Sequence, residues 1–196
     1  MRVHFLNENL GGHATMHRHL RDALRAHPEV EPSWHDLPEP GLLHRVARAP
    51  VPGLARLDLD LSPFRDQLVR ARGAARHLDG LRDVDVLHAY THNAVLLAGA
   101  TLDRIPTVVS LDSTNRQNAL RHPTRPPTRF TELSARPAAA LERGVYERAR
   151  AVVTHSRWAA DGVLEYGVPA EKLHVVPFGI PVGAPPAVRP PRARPR

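Results

Sequence analysis

Seven residues near the middle of the chain, Ile105-Pro106-Thr107-Val108-Val109-Ser110-Leu111, are almost wholly apolar and rich in β-branched side chains, with no polar alternation. Such a strand has to be covered on both faces, which makes it the centre of a parallel sheet. Residues 2–7 (Arg-Val-His-Phe-Leu-Asn) read as a first strand, ending at the polar, glycine-containing stretch Glu8-Asn9-Leu10-Gly11-Gly12-His13. From Ala14 to His27, apolar residues at Met16, Leu20, Ala23, Leu24 and Ala26 recur at helical spacing until Pro28 ends the element. A second strand is expected from Val30 to Leu37, with Pro32 placing it near an edge. A helix opened by Ser62-Pro63 runs toward Asp79-Gly80, and Asp83 to Ala89 is the next strand. A short helix is expected from about Asn93 to Ala100, a loop over 112–129, and a helix over Leu133–Ala149 that Pro137 starts afresh. Ala151–Thr154 reads as a further strand, handing over at Ser156 to a helix that ends at Tyr166-Gly167, and Leu173–Val176 as the last strand. The proline-broken stretch between Pro38 and Leu61 reads as an irregular excursion with one helical turn around Leu42–Ala47, and no chemistry is assigned to it. Strands alternating with helices at this spacing predict a doubly wound, Rossmann-like parallel α/β sheet with helices on both faces.

Composition narrows the function classes. The chain has 196 residues and no cysteine, which excludes disulfide-stapled folds, zinc–thiolate sites and thiol nucleophiles and fits a reducing compartment. The longest apolar runs, such as Ala94–Ala100, fall far short of a membrane span. The start, Met1-Arg2-Val3-His4-Phe5-Leu6, lacks the pattern of a leader, so a cytoplasmic protein is expected. Formal net charge is +7, but four of the 27 basic residues, Arg189, Arg192, Arg194 and Arg196, lie in the last eight positions. Without them 23 basic residues face 20 acidic ones, and aromatics make up only 5% of the chain. That is not the footprint of a nucleic-acid binder.

In an open parallel sheet, ligands bind beyond the carboxyl ends of the strands, where strand order reverses. Four segments qualify: 7–13, 88–93, 110–115 and 155–157. Gly11-Gly12 at a helix N-terminus lets backbone amides approach phosphate or sugar oxygens, although a plain tight turn reads the same way. Asp112 follows the central strand directly and is either a functional carboxylate or a loop residue capping Asn115. His88 and His92 lie four apart across a strand end, where surface or packing roles compete with binding. His13, His17 and His19 mimic a metal spacing but lack the acidic companion of an H-E-x-x-H motif. Arg116, Arg121, Arg125 and Arg129 are positioned to meet an anionic acceptor or a membrane surface, unless they form a solvated face.

Several runs together carry a family resemblance. They are Glu-Asn-Leu-Gly-Gly-His-Ala-Thr from Glu8, Asp-Val-Leu-His-Ala-Tyr-Thr-His from Asp85, and Ile-Pro-Thr-Val-Val-Ser-Leu-Asp-Ser-Thr from Ile105. Above all, they include the stretch from Ala149 through Thr-His-Ser-Arg-Trp to Val-Val-Pro-Phe-Gly-Ile-Pro181. Over residues 2–182 the chain resembles the N-terminal half of family 4 glycosyltransferases. The resemblance implies a GT-B architecture, in which two Rossmann-like domains face each other across a cleft. A sugar passes from a nucleotide-sugar donor to an acceptor with retention of configuration and no obligatory metal. It implies that the N-terminal domain holds a sugar or lipid-linked acceptor, and that Gly11, Gly12 and His13 line the cleft. Many members place a His after the central strand; here Leu111-Asp112 stands there, making Asp112 the substitute, followed by Ser113 and Thr114 as in an Asp-Ala-Thr-like subgroup. Ser156 and Arg157, after the Ala151 strand, complete the expected binding set with His88 and His92.

The domain organisation expected on this basis is a Rossmann-like domain over residues 1–180, followed by a Pro/Arg-rich interdomain linker over 181–196, which holds six prolines. The donor-binding domain, with the family's Glu-x7-Glu pair, would follow it. Glu31 and Glu39 have that spacing but lie in a proline-broken segment of the wrong half. The chain therefore reads as the acceptor half of a transferase, inactive alone, with peripheral contact to the inner face of a membrane through the arginine loop. Two other readings stand beside it. One is a sugar- or lipid-binding module without catalysis. The other is a nucleotide- or dinucleotide-dependent Rossmann enzyme, disfavoured by the missing G-x-G-x-x-G, with Asp36 near the place of the ribose-binding acid.

Overall fold

The computed structural model describes residues 1–10, 12–38, 41–121 and 126–179. Six strands form one all-parallel sheet in the order β2-β1-β3-β4-β5-β6, with β1 at Arg2–Asn7, β2 at Glu31–Asp36, β3 at Val86–Tyr90, β4 at Thr107–Leu111, β5 at Ala151–Thr154 and β6 at Leu173–Val175. The helices are α1 (Gly12–Leu24), α2 (Leu42–Arg48), α3 (Ser62–Asp79), α4 (Gly99–Arg104), α5 (Asn115–Leu120), α6 (Thr131–Arg148) and α7 (Arg157–Leu164). This is the doubly wound α/β class that the strand–helix alternation predicts. Val109 and Leu111 of β4 are fully buried and pair with Val152 and Thr154 of β5, and β3 flanks them on the other side. Pro32 lies on β2, at the sheet edge, where its missing N–H removes nothing from the ladder. Strand order reverses between β1 and β3, so the crevice beyond Asn7 and Tyr90 is the topological switch point.

Several boundaries differ from expectation for local reasons. The third strand starts at Val86 because Asp85 is held by the Arg2 backbone N–H at 2.7 Å and its guanidinium at 3.1 Å. The Ser62 helix begins one residue early, since the Asp60 carboxylate accepts from the Ser62 amide at 3.3 Å. The helix expected over 93–100 divides into a 3-10 turn at His92–Val95 and α4. Within the expected loop 112–129 lies α5, fixed by a capping box in which Thr114 Oγ1 accepts from the Gln117 amide and the Gln117 side chain accepts from the Thr114 amide. Helix α6 runs through Pro137 from Thr131, whose hydroxyl donates to Asp58, so the first turn is anchored before the proline forgoes its bond. Among the described residues no helix is long and apolar enough to cross a membrane. The 181–196 linker, Gly11, Glu39 and Arg125 lie outside the described residues.

One close approach locks the last βα unit to α5. A Cβ added to Gly162 of α7 would lie 2.0 Å from Gln117 Cδ and 2.1 Å from its Oε1. That amide cannot swing aside cheaply, because it is buried and bridges the Thr114 amide and the Trp158 carbonyl, the latter at 2.5 Å. Gly162→Ala is expected to cost about 3 kcal/mol from overpacking and the broken buried bonds. Urea denaturation checks this, and a loss under about 1 kcal/mol would contradict it.

Candidate functional site

Around the switch point, Glu8 follows β1, His13 is the second residue of α1, and Asp112 follows β4. Glu8 is buried, accepting a 2.7 Å hydrogen bond from the Thr91 hydroxyl, while its amide donates to the Tyr90 carbonyl at 2.7 Å. The His13 ring stands between two carboxylates, with Nδ1 4.0 Å from Glu8 Oε2 and Nε2 3.9 Å from Asp112 Oδ2. These are ion-pair separations, too long for direct hydrogen bonds. Tyr90 packs edge-on against His13 at 4.8 Å between centroids, and His155 lies 5.7 Å beyond Tyr90. The Asp112 side chain is 51% exposed. His13 holds its carboxyl below the ordinary carboxylate range, against an opposing push from desolvation. Desolvation first, then Asp112 and Glu8, push the Tyr90 phenol upward, so it stays a hydrogen-bond donor. The result is an ionised, half-exposed hydrogen-bond acceptor at the end of the central strand, beside the part-buried His13 ring and the buried Tyr90 phenol.

Behind that rim sits a buried carboxylate. Glu142 of α6 is fully buried and accepts from Tyr146 Oη at 2.7 Å, Tyr166 Oη at 2.5 Å and the Asn115 amide at 3.1 Å. His92 Nε2 lies 3.0 Å from Glu142 Oε1, an ion pair off the line of the ring N–H. Desolvation pushes the His92 ring down, but Glu142 outweighs it and the net direction is up. Desolvation pushes Glu142 up, and His92 with the two phenols brings it down below the ordinary range. His92 therefore faces inward, into the structure that fixes the turns after β3 and β4.

The other expected residues fall into place around these. Gly12 opens α1, is exposed, and a Cβ there would meet nothing within 4 Å. Ser113 is buried, and Thr114 caps α5, the role that the alternative reading gave to Asp112. Ser156 caps α7, accepting from the Ala159 amide at 3.2 Å, and Arg157 is its exposed first residue. His88 lies inside β3, two residues short of its end. It bonds Ser110 Oγ at 2.7 Å and packs on Phe5 at 5.3 Å, and burial pushes its ring down to about 4. His17 meets Asp36 Oδ1 at 3.0 Å rather than the partners of His13, and among the described residues no group of three potential metal ligands converges. Asp36 does end β2, where Asn7, His17 and Arg21 occupy it. Arg116 is paired with Glu132 and Glu165 at 2.9 Å each, and Arg121 with Glu165 at 2.6 Å, so neither is a free cation.

A cavity of about 580 Å³ opens beside the ends of β3 and β4. Its floor is a chain of amides: Gln67 Nε2 donates to Asn115 Oδ1 at 2.8 Å, and Asn115 Nδ2 to Asn93 Oδ1 at 2.9 Å. Asp58, Asp60 and Arg48 from the excursion between β2 and α3 complete the wall, so that stretch lines a cavity although its sequence suggests no chemistry. Sequence reasoning missed this wall along with Glu142; only the Thr114-x-x-Gln117 capping pattern was there to be read.

Two measurements probe this geometry. Glu142→Gln is expected to lower stability by about 3–5 kcal/mol, because it leaves the buried His92 without its counter-charge. A raised folded pKa for His92 gives stability that is full below its unfolded value, near 6.5, and lost as pH rises through the folded value. A depressed Glu142 gives stability that is full above about 4.3 and lost as pH falls. The deficit of the variant should therefore be largest between about pH 4.3 and 6.5 and shrink toward pH 9; urea titration at several pH values checks it, and a pH-independent deficit contradicts it. Carboxyl-detected NMR should likewise find the Asp112 titration midpoint below that of an ordinary aspartate and moved upward in His13→Ala; an unmoved midpoint contradicts the pairing.

A family model described as Glycosyltransferase Family 4 matches residues 10–183. No curated protein matches the chain. Among solved structures, a UGT transferase from Siraitia grosvenorii in complex with UDP aligns at TM-score 0.52 and 12% identity over 91% of this chain and 50% of that one. MnaA of S. aureus with UDP aligns at 0.51 and 12% over 89% and 43%, and the UDP-GlcNAc 2-epimerase of Neisseria meningitidis bound to UDP-GlcNAc at 0.50 and 13% over 89% and 45%. The chain thus spans about half the length of the structures it matches, and at these identities the likeness is one of fold, the Rossmann-like α/β fold of GT-B proteins. With the family match running from residue 10 to residue 183 of 196, the chain belongs to Glycosyltransferase Family 4.

Proposed function

We propose that this chain is the acceptor-side half of a retaining glycosyltransferase, which moves a sugar from a nucleotide-sugar co-substrate to a sugar or lipid-linked acceptor without a further cofactor. Supporting the donor class, the three aligned structures hold UDP or UDP-GlcNAc. The observation that carries the acceptor reading is Asp112, a half-exposed carboxylate held ionised by His13 at the end of the central strand. In this reading Asp112 accepts the hydrogen bond of the acceptor hydroxyl and aims its oxygen at the donor sugar, a contribution of orientation. His13, backed by Glu8, fixes the carboxylate. Gly12 leaves the N-terminus of α1 open to donor phosphates, since nothing in the chain's own packing fills the space where its Cβ would be. The amide chain of Gln67, Asn115 and Asn93 offers neutral donors and acceptors suited to ring hydroxyls. Donor-orienting groups belong to a second domain, so the isolated chain should release no nucleotide from any donor.

The test is turnover in a transferase with both halves present. Asp112→Ala should reduce it by about 10²-fold or more while the melting temperature stays unchanged. Undiminished turnover in a folded variant would overturn the role. Nucleotide release by the isolated chain, matched by glycosylated product, would overturn the assignment of donor contacts to another domain.

A further inference from the structure

The edge strand β2 is gripped on both faces, and on one of them the grip is a cluster of histidines. His4 of β1 is buried, with Nδ1 2.8 Å from Ser33 Oγ and Nε2 3.1 Å from Nε2 of His77, near the end of α3. His35 of β2 stacks on His77 at 3.6 Å between centroids, with the ring planes 9° apart. Imidazoles from three elements thus join β2 and α3 to β1, and the contact depends on their charge. One proton between the two Nε2 atoms makes a hydrogen bond. With both rings charged, two N–H groups face each other at that distance and His35 meets a like charge across its face. Burial, then His77 and His35, push the His4 ring down to about 4. Burial first, and then His35, lowers His77; burial also lowers His35, outweighing the pull of Asp36.

The opposite face of β2 seats α1. His17, the buried residue of that helix, meets Asp36 Oδ1 at 3.0 Å and packs edge-on against Trp34 at 4.8 Å. Arg21 donates to Asp36 at 2.8 Å and lies over the Trp34 ring at 4.8 Å. One turn before His17 on the same helix is His13, the residue that holds Asp112. Burial lowers the His17 ring against the pull of Asp36, while Asp36 is pushed up by burial and brought down on balance by Asn7, Arg21 and His17.

We propose that the cluster of His4, His35 and His77 is an acid-sensitive latch on the candidate site. Closed while neutral, it opens on protonation, loosens β2 and with it the seat of α1, and draws His13 away from Asp112. The inference adds regulation to the acceptor reading and rests on it only for what the loss of His13 means to a substrate. Rings lowered in the folded chain stabilise it fully above their ordinary value, near 6.5, and progressively less as pH falls toward the folded values. His17 acts in the same direction, and Asp36 only below about pH 4, so the share of the cluster is read from a variant.

Amide hydrogen exchange of the chain without ligand, at about pH 7 and about pH 5 and corrected for intrinsic rates, tests this. Opening of β2 and α1 is expected to rise about tenfold at the lower pH, the equivalent of one ring lowered by about one unit, while β4 and β5 change less than about threefold. His77→Gln removes a like charge from beside both His4 and His35, and should cut that rise to about threefold or less with an unchanged melting temperature at neutral pH. NMR titration of the parent's histidines needs no variant: the midpoints of His4, His35 and His77 should all lie below about 6.5. Equal exchange of β2 at the two pH values, opening of β2 without α1, a parent-sized rise in folded His77→Gln, or midpoints at the ordinary value would overturn the proposal. Failure of the acceptor reading would show differently, as a hexose titration that leaves Asp112 unmoved while the exchange response to acid persists.

Discussion

A carboxylate taken entirely out of water is tolerated only when other groups replace its hydration, and Glu142 meets that condition with four partners from four parts of the chain. Tyr146 comes from its own helix, Tyr166 from the end of α7, the Asn115 amide from the start of α5, and His92 from the turn after β3. Each partner sits where a strand has just ended or a helix begins or stops. Through His92 and Asn115, satisfying one buried charge fixes the turns after β3 and β4 at the carboxyl edge of the sheet, which in a parallel α/β fold is where ligands bind. Hydrophobic burial builds the sheet; this ion pair sets the shape of its functional edge.

The candidate site follows from that constraint. With the Asn115 amide pinned by Glu142, its side chain is left to join Gln67 and Asn93 in the amide chain along the cavity. Three residues earlier, Asp112 leaves β4 toward His13, whose other nitrogen faces Glu8. An inner, fully dry carboxylate thus supports an outer, half-wet one. The inner charge is matched by its partners, while the outer carboxylate, half-exposed beside His13, is the one to which the proposed acceptor role falls.

Much of the fold was legible because its signals are local. The β-branched run from Thr107 to Leu111 could only be a strand buried on both faces, and Pro32 marked an edge strand by its missing donor. The glycine turn and Asp112 were legible as site candidates because strand ends are where such sheets bind. His88 shows the limit of that reading: β3 runs one residue further than expected, to Tyr90, which leaves His88 inside the strand and bonded to Ser110 of β4. Glu142 was hidden because a glutamate in a helix ordinarily reads as surface, and its partners lie up to 50 residues away in sequence. The cavity wall from Arg48 to Leu61 was hidden because a proline-broken segment has no periodicity to read. It is organised by single side-chain bonds, such as Thr131 to Asp58, that join distant residues.

Acceptor binding at this edge of the sheet is tested by NMR mapping of the isotope-labelled chain during titration with a neutral polyol such as a free hexose. Saturable shifts confined to His13, Asn93, Asp112, Asn115 and their neighbours, at the ends of β1, β3 and β4, are expected. Saturable shifts elsewhere, or none at any of these residues, would contradict it.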